Sequence, residues 1–145
     1  MDMMALRRRI MMQSKKVENI NVWDEQWELG TLNTSTGGKI SSDSQIRCKE
    51  YIEVQGDTRY YFYNGSGKAM WMLFFDSNYD VIDNYGNPDN LRRSTNAYGL
   101  NNKEFTTPQN CKFIKFYCVA SYGATYKNDI SLNYPATDHE YHKHV

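Results

Sequence analysis

Gln45-Ile46-Arg47-Cys48-Lys49-Glu50-Tyr51-Ile52-Glu53-Val54 sets apolar Ile46, Cys48, Ile52 and Val54 against Arg47, Lys49, Tyr51 and Glu53, with Glu50 the one break in the rhythm. Successive side chains of a strand point to opposite faces. A period of two over this length therefore reads as a β-strand with one face on a core. The same period recurs on both sides of it. Glu25 to Leu32, Thr58 to Tyr63, Tyr79 to Asp83, Lys103 to Thr107, Cys111 to Ala120 and Asp129 to Tyr134 read as further strands. Ala69 to Phe75 is apolar on both faces, as in a central strand. Turn formers separate these runs at Gly37-Gly38, Gly56-Asp57, Asn64-Gly65, Gly86-Asn87-Pro88 and Pro108-Gln109-Asn110. Residues 85 to 102 are polar and read as one long loop. Many short strands with no helix between them predict an all-β fold, an antiparallel β-sandwich of about eight strands, best matched by a jelly roll.

The opening residues follow a different period. Met3, Leu6 and Ile10 recur at spacings of three and four, Met4, Met11 and Met12 widen the stripe, and Arg7, Arg8, Arg9, Lys15 and Lys16 cover the remainder. This pattern predicts a short helix over residues 2–18. Such a helix is marginal alone and wants a partner, with self-association the favoured one. The expected organisation is an N-terminal helical assembly segment (1–19), a β-domain (20–138) and a His-containing tail (139–145).

Composition narrows the function classes. At 145 residues, Lys plus Arg (17) balance Asp plus Glu (17). A nucleic-acid binder needs a basic surplus, and none exists. No apolar run is long enough to span a bilayer, so membrane insertion is not expected. The order Met-rich then Arg-rich reverses that of a secretory signal, which implies synthesis in the cytoplasm. Three cysteines do not make a complete disulfide framework and read as buried thiols. Twelve Tyr and three Trp exceed what a core of this size needs. A β-rich core absorbs most of them, and the excess marks a surface that grips a partner.

Four segments carry a resemblance: Asn21 to Gly30, Ile46 to Val54, Leu73 to Ile82, and Phe105-Thr106-Thr107-Pro108 leading to Phe113-Ile114-Lys115-Phe116-Tyr117. In that order the chain resembles the jelly-roll carbohydrate-binding-like modules of tail and baseplate proteins of phages infecting Gram-positive bacteria, and related proteins of gut bacteria. The resemblance spans about residues 20 to 138. It implies adhesion to a cell-surface polysaccharide or glycan without catalysis, in a virion or at a cell surface. Tail or baseplate proteins, or further copies in a homo-oligomer such as a trimer, would be its other partners. It requires no cofactor, though many jelly-roll modules hold calcium.

A pyranose lays its apolar face on Trp or Tyr while planar polar groups bond its hydroxyls. Trp23 and Trp27, four apart, are candidate platforms; for Trp27 sealing the core is the leading reading, for Trp23 the platform is. Arg47, Lys49 and Tyr51 share one face of their strand, as Lys115 and Tyr117 do of theirs, which suggests a common ligand face. Trp71 completes the candidate set, although its strand favours the core. Asp76-x-Asn78-x-Asp80 resembles the start of a calcium loop, but Val81 stands where Gly is required, so a plain turn explains it better. His142-x-His144 resembles the metal-binding spacing of some trimeric phage fibres, and an incidental tail is the leading alternative. No paired carboxylates, nor any Ser or Cys with a His and an acid, point to catalysis, so a binding protein rather than an enzyme is expected. The rival is a structural assembly module with no sugar ligand, oligomerising through the N-terminal helix.

Overall fold

The computed structural model describes residues 19–82, 92–94, 96–118 and 129–145. The expected helix over 2–18 lies outside them, as do Asp83, Val119 and Ala120 at the ends of two expected strands. The strands are β1 (Trp27–Leu29), β2 (Thr31–Leu32), β3 (Lys39–Ile40), β4 (Ile46–Cys48), β5 (Ile52–Glu53), β6 (Arg59–Asn64), β7 (Met70–Phe75), β8 (Arg92–Ser94), β9 (Ala97–Leu100), β10 (Lys103–Thr106), β11 (Phe113–Cys118) and β12 (Ile130–Asn133). Every pairing among them is antiparallel. A larger sheet runs β1-β4-β11-β7-β9-β8, with β5 also on β11; a smaller one runs β10-β6-β12, and β2 and β3 form a separate ribbon.

Alternation along the strands builds the core between the sheets. The larger sheet contributes Ile46, Cys48, Ile52, Met70, Met72, Phe74, Ile114, Phe116 and Cys118, and the smaller one Tyr60, Phe62, Phe105, Ile130 and Leu132. Two sheets facing each other across such a layer make a β-sandwich. All three thiols are free and buried.

Three strand readings change. The 45–54 run divides into β4 and β5, which pair with opposite ends of β11. The 25–32 run breaks at Gly30, whose φ of 137° is a glycine conformation. A Cβ there would run into the Arg47 guanidinium and the Ile40 carbonyl. Of the described residues Tyr79 to Ile82, Val81 forms the one β-bridge, to Phe75. The stretch expected as a long loop instead carries β8 and β9, which extend the larger sheet beyond β7. Short edge strands tolerate such polar sequence.

Each outer face of the sandwich is partly covered by the chain itself. The β2–β3 ribbon folds as an arm over the outer face of the larger sheet. Its Leu32 joins Leu73, Phe75, Ala97 and Tyr117 in a second buried cluster. Gly37 at its tip lies so close to the Phe75 ring and Val81 that no side chain would fit. Residues 136–145 cross the smaller sheet as a strap. His139 stacks on Tyr61 (4.1 Å, 14°) and Tyr141 tilts against Tyr63 (6.2 Å). His142 Nε2 pairs with Asp138 Oδ1 at 2.8 Å, and His144 Nδ1 donates to the Asn21 carbonyl at 2.9 Å. The segment read as an incidental tail is thus tied down along its length.

Candidate functional site

On β11, Phe113, Lys115 and Tyr117 alternate with core-facing Ile114, Phe116 and Cys118, and so belong to the outer face. Tyr117 pairs with Arg47 of β4 on one side and Trp71 of β7 on the other. Three expected ligand residues therefore stand in one row across the sheet. That row is not open. Arg47 Nη1 donates to the Thr31 and Ile40 carbonyls of the arm, both at 2.9 Å, and its Nε to Glu28 Oε1 at 2.9 Å. Lys39 Nζ reaches the same Glu28 oxygen at 2.8 Å. Burial alone would raise the Glu28 carboxyl, but the hydrogen bonds from Lys39 and Arg47 outweigh it and hold the group low. Tyr117 is 4% exposed beneath Leu32, and burial pushes its phenol up to about 12. Arg47 and Tyr117 are corrected accordingly: they clamp and floor the arm. Trp71 is half-buried at the margin of the same cluster.

Beside the arm, at the β5 end of this face, aromatic surface remains open. Tyr51 is 36% exposed and Tyr79 51%. Their rings lie 4.8 Å apart, and Tyr79 stacks on Phe113 at 4.7 Å and 11°. Tyr51 also packs edge-on against Phe75 at 5.1 Å. The Lys115 ammonium sits 4.2 Å from the Tyr51 ring centroid, a cation–π contact. Lys115 is only 3% exposed. Burial first, then the charge of Lys39, pulls its pKa below the ordinary lysine value. The turn that presents Tyr79 is closed by Asp76 Oδ1, which accepts from the Asn78 and Asp80 amides. The carboxylate is occupied as a turn cap, and Tyr79 follows with φ of 64°.

The remaining candidates separate. Trp23 is 1% exposed and packs against Trp27 (4.6 Å) and Phe116 (4.8 Å). With no ring face open, it is a core residue and not the platform expected of it. Trp27, half-buried, lies against the same rings and seals that core. Lys49 is exposed in the break between β4 and β5 and makes none of the patch contacts. Sequence reasoning thus placed Tyr51 and Lys115 in the patch but missed Tyr79 and Phe113. Phe113 had a usable signal, since it shares the parity of Lys115 and Tyr117. Tyr79 had none, because its placement depends on the turn.

A second concavity of about 400 Å³ opens at one end of the sandwich, lined by Val22, Glu53, Val54, Gln55, Tyr60, Lys112 and Tyr134. Its size suits a small ligand. Tyr134 is open there, but Glu53 and Lys112 pair with each other at 3.0 Å, and the Tyr60 hydroxyl accepts from the Gln55 amide. Its polar groups are largely satisfied within the protein. Among the described residues no group of three or more His, Cys, Asp or Glu could hold a metal, and no helix is long and apolar enough to cross a membrane. Comparison of the chain with protein-family models, curated proteins and solved structures finds no match.

Proposed function

We propose that this protein is a non-catalytic carbohydrate-binding module of a phage tail or bacterial surface assembly, with a jelly-roll domain carried behind a short N-terminal helix. The observation that carries the reading is the open Tyr51–Tyr79 pair backed by Phe113. Exposed Tyr rings fixed by stacking offer an apolar face at little conformational cost, and their hydroxyls reach sugar hydroxyls. A patch of two such rings suits a glycan better than a buried small molecule.

The test is binding to a panel of bacterial cell-wall polysaccharides and host glycans, followed by Tyr79→Ala. Because Tyr79 is half exposed, the fold should survive. Affinity should fall at least tenfold, about 1.4 kcal/mol. Binding that ignores Tyr79→Ala would remove the patch from the site.

A structural assembly role is the second reading. Leu29 of β1 and Ile40 of the arm, 42% and 43% exposed, favour it as open apolar surface. A trimer that becomes monomeric when residues 1–20 are removed would support it.

A further inference from the structure

We propose that the ligand of the Tyr51–Tyr79 patch is anionic, and that Lys115 receives its carboxylate or phosphate group. This rests on the glycan reading and adds the charge class of the sugar. Lysine is almost never fully buried unless paired, because an ammonium taken from water without a counter-charge is costly. Lys115 is 3% exposed as a residue, its ammonium keeps only an edge to solvent, and among the described residues it makes no ion pair. Its one direct polar contact is the π-face of Tyr51, which holds a cation but does not neutralise it.

The neighbouring charges deepen the shortage. Lys39 and Arg47 both act on Lys115 as like charges. Glu28, the carboxylate that acts on it, is already bonded to Lys39 at 2.8 Å and Arg47 at 2.9 Å. The Cys48 thiol, on the opposite face of the sheet, is held protonated by burial and supplies no anion. Among the described residues, Lys115, Lys39 and Arg47 thus gather around the Glu28 carboxylate, in a chain whose formal net charge is zero. A neutral sugar would leave that surplus standing. An acidic one, stacked on Tyr79 and Tyr51, would place its charge where the protein lacks one. The weaker screening of a partly dry site would strengthen the attraction.

The experiment compares wild-type protein, Lys115→Met and Tyr79→Ala on an array of bacterial polysaccharides. Each acidic polymer is spotted beside its neutralised form, with uronic acids carboxyl-reduced and phosphate-bearing polymers dephosphorylated. Wild type should bind the acidic member at least tenfold more tightly. Lys115→Met, which keeps the length of the stem, should bind both members alike while melting no lower than wild type. Retention by uronate polymers or by phosphate polymers identifies the anion. Equal binding of the paired forms by wild type, or an acidic preference that survives Lys115→Met, overturns the inference. If Tyr79→Ala still abolishes binding in that case, the glycan reading stands without it. Well-folded protein that binds nothing on the array overturns both.

Discussion

On the outer face of the larger sheet, the arm is held by buried apolar contact, the Arg47 guanidinium and the Lys39–Glu28 ion pair. On the outer face of the smaller sheet, the strap is held by hydrogen bonds, stacked rings and His–carboxylate pairs. Leu32 and Gly37 pack the arm onto Phe75 and Tyr117, and Arg47 ties both of its strands. The strap has no comparable apolar cluster; Asn133 Nδ2 donates to the carbonyls of Asp138 and Glu140, and His139 reaches Glu104 at 3.1 Å. One cover resembles core, the other resembles an interface. Aromatics follow the same division. Tyr61 and Tyr63 are roofed by His139 and Tyr141, whereas Tyr51 and Tyr79 lie beside the arm and stay open. An open aromatic pair is thus informative because on the opposite face the chain covers Tyr61 and Tyr63.

The sharpest way to break this contrast is Arg47→Met. It preserves apolar volume but strands the Thr31 and Ile40 carbonyls and the Glu28 carboxylate. Removing one member of a largely buried pair costs about 3 kcal/mol, readable by urea unfolding, with faster amide exchange across 31–40. A loss under about 1 kcal/mol would mean that Leu32 and Gly37 hold the arm unaided.

Alkali should act on the arm side next. Burial holds Tyr117 at about 12 in the folded protein, above its ordinary 10.0. Its contribution is therefore complete below pH 10.0 and is lost as pH rises through the folded value. The buried Cys111 thiol, raised to about 12 from 9.0, starts the decline one unit earlier. Each such group costs about 1.4 kcal/mol per pH unit while it is ionised only in the unfolded chain. Urea titrations at several alkaline pH values should show the slope, and Tyr117→Phe should flatten its upper part. An unchanged slope in that variant would mean that the Tyr117 phenol reaches water.

Much of the sandwich was legible because alternation is local. Ile114, Phe116 and Cys118 announce a core face, and Phe113, Lys115 and Tyr117 its opposite, with no knowledge of partners. What alternation cannot say is whether an outer face meets solvent. Arg47 and Tyr117 have the composition of a ligand row, and the arm that hides them is two short strands whose glycines, Gly30 and Gly37, show their role through tertiary neighbours such as Arg47 and Phe75. Trp23 fails for a related reason. It precedes its strand, so no periodicity assigned it a face, and its burial follows from tertiary contact with Trp27 and Phe116. The β8–β9 hairpin was hidden by polar composition, which an edge tolerates.

The strap supplies the smallest effect, and its Asp138–His142 pair runs opposite in pH to Tyr117. The hydrogen bond from His142, first among its causes, holds the Asp138 carboxyl below its ordinary 3.8. A lowered carboxyl contributes stability above its unfolded value that is lost as pH falls through the folded one, so acid loosens this pair. Asp138 and His142 both retain solvent contact, 27% and 31%, which screens the pair. Asp138→Asn should therefore shift global unfolding by less than about 0.5 kcal/mol. The amides of His142 and His144, which donate to Ser131 Oγ and Glu25 Oε2, should nonetheless exchange several-fold faster. Local opening without global loss is the behaviour of an interface-like cover. A cost rivalling that of Arg47→Met would instead make the strap part of the cooperative fold and erase the distinction between the two faces.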